Sequence, residues 1–188
     1  MIPTISNPAV PSEIIAPYNR EREQLVDYAR GGANLYSAES GMNVQDWTAF
    51  VESETRIKVR SAAGEEALVY TASGVIEWLA LAFDQAMHPV YCFAVKGLYY
   101  LRFWDVSTGQ ENQIDLGEIV TPFARMDDVI RKFITHNDVI VTYIKTGGLY
   151  CRAERDRYRT EYLLVAGAFQ KIKRFGMNTG RRLQWEME

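Results

Sequence analysis

The chain has 188 residues and a mass of 21.5 kDa, with 47% apolar and 24% charged side chains, which suits one domain with a sizeable core or two very small ones and excludes a disordered tail. Twenty-one basic against twenty-four acidic residues give a formal charge of -3 and a pI near 5.5, so no global positive field draws the protein to nucleic acid or to an anionic membrane. Apolar runs such as Trp78 to Phe83 fall far short of the roughly 20 residues that span a bilayer, so no membrane contact is expected.

The start, Met1-Ile-Pro-Thr-Ile-Ser6, lacks the basic and apolar regions of a secretory signal, and synthesis in the cytoplasm is the expectation. Pro3, Pro8, Pro11 and Pro17 alternate with Ile2, Ile5, Val10, Ile14 and Ile15. Proline fixes an extended backbone and removes donors, so residues 1–18 read as an arm outside any regular sheet. Ile2, Ile5, Val10, Ile14, Ile15 and Tyr18 are its candidate partner contacts, with a frayed terminus as the competing reading.

Over 19–45 the expectation is a short helix and a linker. Asn19 serves as the cap, Leu25, Val26 and Tyr28 fall along the helix, and Gly31-Gly32 stops it. From Asp46 the pattern changes to short β-rich runs separated by turn residues. These are Thr55 to Arg60, Ala67 to Thr71, Val75 to Phe83, Val90 to Val95, Leu98 to Trp104 and Gln113 to Leu116, then Val139 to Ile144, Leu149 to Arg152, Glu161 to Val165 and Arg182 to Trp185. Met126 to Phe133 suits a helical turn or a bent strand. The expected class is mostly β, with propeller-blade-like or sandwich-like antiparallel sheets over residues 46–188.

Two stretches can be superimposed, His88 to Asp105 on Asn137 to Asp156, with Val90 on Val139, Lys96 on Lys145, Gly97 on Gly148, Leu98 on Leu149 and Tyr99 on Tyr150. Each copy reads as an apolar strand, a Lys-Gly turn and a Leu-Tyr strand, preceded by a lead-in ending in Asp, Leu81 to Asp84 and Phe123 to Asp127. The period of about fifty residues is that of a propeller blade. About three such units are too few to close a ring of roughly four or more blades, so closure by other chains is expected. A sandwich with edges blunted by Arg152, Glu154, Arg155, Asp156 and Arg157 is the alternative.

No reactive centre stands out. Cys92 and Cys151 lie in apolar strand-like runs, as buried reduced cysteines do. With His88 and His136 they show no metal-ligand spacing, so neither metal nor cofactor is expected. Both histidines sit in turn-like settings and read as solvent-facing bystanders. Glu65-Glu66, Asp105, Glu111, Asp115, Asp127-Asp128 and Asp156 include enough acids for a glycosidase pair, but carboxylates at turns are more often solvated strand ends, and no catalytic residue is assigned. No nucleophile elbow or phosphate-binding loop is present. Residues 152–188 hold nine basic and five acidic residues (+4) and residues 1–151 sum to -7, a polarity suited to head-to-tail packing of copies. Lys171 to Arg182 offers charges for a DNA backbone, though a solvated hairpin turning at Asn178-Thr-Gly180 is the stronger reading.

Leu81-Ala-Phe-Asp-Gln-Ala-Met-His-Pro-Val90, the Asn137-Asp-Val-Ile block, Gly148 to Tyr158 with Thr160-Glu-Tyr-Leu-Leu164, and Phe175-Gly-Met-Asn-Thr-Gly-Arg-Arg-Leu-Gln184 resemble tailed-bacteriophage virion structural proteins. The likeness covers roughly residues 43 to 186, and the Arg-Asp-Arg-Tyr/Glu-Tyr-Leu-Leu block is its most specific part. It implies a non-enzymatic, multi-copy component of a virion tail or neck with blade-like β repeats, bridging other tail or fibre proteins and copies of itself. The short chain and its Pro-rich start depart from that pattern. A glycan-binding or glycan-cleaving propeller-like module for host recognition is the second reading, for which Trp104 and Asp105 are the residues to change.

Overall fold

The computed structural model describes residues 18–19, 24–37, 45–126, 139–177 and 183–187. Fifteen strands and a single turn of 3-10 helix at Glu154–Asp156 account for the regular structure of these residues. The first sheet contains β1 (Tyr18–Asn19), β2 (Gln24–Gly31), β3 (Gln45–Glu52), β4 (Arg56–Ser61) and β5 (Glu66–Thr71). The second contains β6 (Ile76–Phe83), β7 (Pro89–Val95), β8 (Leu98–Asp105) and β9 (Gln110–Gly117). The third is β10 (Val120–Met126), β11 (Val139–Lys145), β12 (Gly148–Ala153) and β13 (Tyr162–Ala166), and the fourth only β14 (Ile172–Met177) and β15 (Leu183–Met187). In each sheet the strands follow chain order and every pair is antiparallel, so the protein is mostly β.

Side-chain patterning explains the order within a sheet. β7 and β11 are buried along nearly their whole length, and both read as continuous apolar runs. β4 and the second half of β8 alternate, because one face meets another sheet more fully than the other. β9 and β13 are largely half-buried or exposed. Burial therefore falls from the second strand of a sheet to the fourth, as it does from the inside to the rim of a propeller blade.

Three apolar seams lie between successive sheets. Trp47, Ala49, Ile57 and Val59 of the first sheet pack on Leu79, Leu81, Phe83, Tyr91 and Phe93 of the second. Ala80, Val90, Cys92 and Leu101 pack on Val139, Val141 and Tyr143 of the third. Ile140, Leu149 and Cys151 pack on Ile172, Trp185 and Met187 of the fourth. The leading strands touch in series, β2 against β6, β6 against β10 and β10 against β14, while no comparable contact joins β14 or β15 to β2–β5 among the described residues. The four sheets thus pack face to face in chain order, an order that propeller blades share.

The expected helix after Asn19 is overturned, because Gln24–Gly31 forms β2, with Val26 opposite Phe50 and Ala29 opposite Trp47. The first sheet thus starts well before residue 46. The local sequence through Leu25, Val26 and Tyr28 permits a helix. Ladder pairing to β3 and burial of Val26, Asp27 and Ala29 outweigh that local preference. The arm residues Ile2, Ile5, Val10, Ile14 and Ile15 lie outside the described residues. Tyr18 falls in β1, opposite Leu25. Of Met126 to Phe133, only Met126 is described, as the end of a strand. The lead-in strands β6 and β10 open their own sheets and do not close the preceding ones.

Both superimposed stretches are hairpins of a second and a third strand, but the hydrogen-bond register changes their alignment. Tyr91 opposes Arg102, Phe93 opposes Tyr100 and Val95 opposes Leu98; Val141 opposes Arg152, Tyr143 opposes Tyr150 and Lys145 opposes Gly148. A constant offset of 50 (102 to 152) therefore replaces the 49 (90 to 139) and 51 (97 to 148) of the sequence match. At the hairpin Lys96 and Gly97 take φ of 53° and 74°, the left-handed pair of a tight two-residue turn. A third copy follows, since Thr48 opposes Arg60 and Phe50 opposes Lys58 in the first sheet. The next-to-last strand of each of the first three sheets thus carries an arginine, at Arg60, Arg102 and Arg152, that reaches the side of the last strand. Arg60 Nε donates to Glu66 at 2.7 Å, Arg102 donates to Gln113 at 3.2 Å and Glu111 at 2.5 Å, and Arg152 lies 3.7 Å from Glu161.

Candidate functional site

Two polar clusters lie at the seams. In the third sheet, the Tyr143 hydroxyl donates to Glu161 Oε1 at 2.5 Å and accepts from Arg152 Nε at 2.9 Å. Lys145 pairs with the second oxygen of Glu161, and Arg152 also donates to the carbonyls of Tyr158 and Arg159. Every group here is engaged, which fastens the chain entering β13 to β11 and β12. Burial raises the Glu161 pKa, but hydrogen bonds from Lys145 and Tyr143 and the charges of Lys145 and Arg152 outweigh it and hold the carboxyl below its ordinary value.

A depressed carboxyl contributes stability that is complete above its unfolded value of about 4.3 and is lost as pH falls through the lower folded value. The thermal midpoint should therefore fall on acidification below about pH 5 less steeply in Glu161→Gln than in the parent. Equal slopes in the two proteins would remove Glu161 from the acid response.

The second cluster lies at the first seam and is the candidate site. The five-residue connection between β6 and β7 folds back on Asp84, whose buried carboxylate accepts the backbone N–H of His88 at 2.8 Å through Oδ1. Its Oδ2 meets His88 Nδ1 at 2.6 Å. The imidazole stacks on Trp104, with ring centres 5.3 Å apart and planes 14° from parallel, and Tyr36 tilts against it at 5.8 Å. Trp104 comes from β8, where Glu111 of β9 is its cross-strand partner. One step along the same face, Arg102 lies over the Tyr70 ring at 4.2 Å, so the cluster continues across the seam to β5. Burial, and then the charge of Glu111, push the Tyr36 phenol up.

Tyr36 reaches this position through the turn that follows β2. Trp47 Nε1 donates to the Gly32 carbonyl at 2.9 Å, and the Gly32 N–H meets the Met87 sulfur at 2.9 Å. The Tyr36 N–H donates to the Met87 carbonyl at 3.2 Å. A side chain at Gly31 would come within 2.8 Å of both Met87 Cε and the Trp47 ring, so glycine lets the turn approach the second sheet.

No family model, curated protein or solved structure matches this chain.

His88 is accordingly not a solvent-facing bystander: a buried acid and two aromatic rings hold it, and its side chain is 15% exposed. His136 lies outside the described residues. Asp105 and Trp104 point to different faces of β8 and serve different purposes. Asp105 Oδ1 accepts from the Ser107 backbone and hydroxyl at 2.9 and 2.6 Å, and Arg157 of the connection between β12 and β13 lies 3.7 Å away. Asp156 likewise binds Thr160 N and the Tyr162 hydroxyl, and Asp115 binds Gly117 N. The carboxylates singled out in the sequence are thus dispersed over separate loops and ion pairs, while Asp127 and Asp128 lie outside the described residues. Both cysteines are buried and unbridged; burial raises the Cys92 thiol strongly and pushes Cys151 up to about 11, so neither is a ready nucleophile. Among the described residues no group of three or more His, Cys, Asp or Glu is arranged to hold a metal. Within Lys171 to Arg182, residues up to Met177 form β14 and its approach, paired to β15, and the turn residues are outside the described set.

The sequence offered one usable signal for this cluster, an Asp four residues before a His in a short connection between apolar strands. Tyr36 had none, since its place depends on a turn that passes from the first sheet to the second.

Proposed function

We propose that this chain is a non-enzymatic structural component of a tailed-bacteriophage virion, in the tail or neck region, where several copies attach or bridge other tail or fibre proteins. The observation that carries the assembly part is the unclosed series of blades. Among the described residues the leading strands touch in series, with no comparable contact from β14 or β15 back to β2–β5, and the fourth sheet shows two strands where the second and third show four. β15 therefore presents an unpaired edge among the described strands, and such edges favour pairing with another chain. The placement in a virion rests on the sequence resemblance alone. Commitment of Asp105, Asp156, Glu111 and Glu161 to loops and arginines supports a scaffold over a catalyst.

Light scattering on the purified full chain should find more than one copy per particle at high micromolar concentration. Labelled antibody should decorate the tail or neck of purified virions that carry the gene. A persistent monomer together with undecorated virions would overturn the proposal.

A further inference from the structure

We propose that Tyr36, His88 and Trp104 form a binding site for a neutral saccharide at the rim of the first seam. Tyr36 is 56% exposed, although it sits beside a histidine that is mostly covered. Its backbone has φ of 56°, in the left-handed region that bulky side chains rarely adopt, and Met87, which accepts its N–H, has φ of 62°. Two strained residues joined by a hydrogen bond thus hold a largely solvated ring in place. Core packing does not account for a tyrosine there, and strain of this kind concentrates at ligand sites.

The chemistry of the clustered groups selects the ligand class. Aromatic faces attract the C–H faces of a pyranose, while its hydroxyls need neighbouring donors and acceptors. His88 has Nδ1 fixed on Asp84, so the ring orientation is set before a ligand arrives and Nε2 is the nitrogen directed away from that anchor. Glu111 stands across from Trp104 as a further acceptor, and its charge is offset by Arg102 at 2.5 Å. A carboxylate neutralised in this way favours hydroxyl groups over a cationic ligand. The site does not depend on the virion assignment, because it lies within one copy of the chain.

Saturation-transfer NMR and tryptophan fluorescence on the full chain would test it, using an array of neutral hexoses, N-acetylhexosamines and their oligomers, with protonated glucosamine as a charged comparison. Saturable binding to a neutral sugar is expected. Tyr36→Gly should weaken it by at least about tenfold while the thermal midpoint stays unchanged or rises, since glycine relieves the left-handed backbone. Trp104→Ala should abolish the signal. The proposal is overturned by an array with no saturable binding, by preference for glucosamine over the neutral sugars, or by a Tyr36→Gly protein that binds as the parent does.

Discussion

Replacing Trp47 by alanine should cost about 4 kcal/mol of folding stability, within the range observed for removal of a large buried aromatic. Trp47 is 2% exposed and lies at the first seam, with its ring 5.5 Å from Phe83 of the second sheet. The indole fills the space left by Gly31, and its N–H satisfies the Gly32 carbonyl. Truncation therefore opens a cavity and leaves an acceptor without its donor, two effects with the same sign. A small domain has only about 5–15 kcal/mol in total, so the variant should unfold at a much lower urea concentration. Trp47→Phe keeps most of the volume but loses the N–H, and should cost about half as much. A loss below about 1 kcal/mol for the alanine variant would be incompatible with a packed seam. The phenylalanine variant also connects stability to the candidate site, because loosening the Gly31-Gly32 turn should displace Tyr36 and weaken saccharide binding more than it weakens the fold.

The strands legible in the sequence were those whose periodicity is a local property. Val90 to Val95 and Val139 to Ile144 are apolar because both their faces meet other sheets, and the Lys96-Gly97 turn marks the hairpin without outside help. β2 was not legible, since the run through Leu25, Val26 and Tyr28 was read as a helix and the ladder that decides the matter comes from β3, about twenty residues later in the chain. The third copy of the repeat escaped for a related reason. Arg60, Arg102 and Arg152 recur in register, but a three-residue hairpin loop in the first sheet and two-residue loops in the others disturb any gap-free alignment. His88 was misplaced because a turn is usually solvated. Here Asp84 and Trp104 enclose it, and only the packing of the first sheet on the second brings Tyr36 over the ring.

Asp27 provides the second large expected effect and a test of how the leading strands are joined. No ladder pairs β2 with β6, so backbone groups facing across that gap need other partners. Asp27 is 7% exposed, and its Oδ2 accepts the Leu81 N–H of β6 at 2.7 Å. Alanine at this position leaves a buried amide without an acceptor and should cost about 3 kcal/mol, near the upper end for a hydrogen bond to a charged group. Asn is nearly isosteric and keeps an acceptor, so Asp27→Asn should lose markedly less. Chemical denaturation of the two variants separates the explanations. A large loss with alanine and a small one with asparagine identifies the hydrogen bond as the link between the sheets. Equal losses would assign the effect to the negative charge, and no loss in either would mean that apolar packing of Val26 and Ala29 is enough to seat β2 against the second sheet.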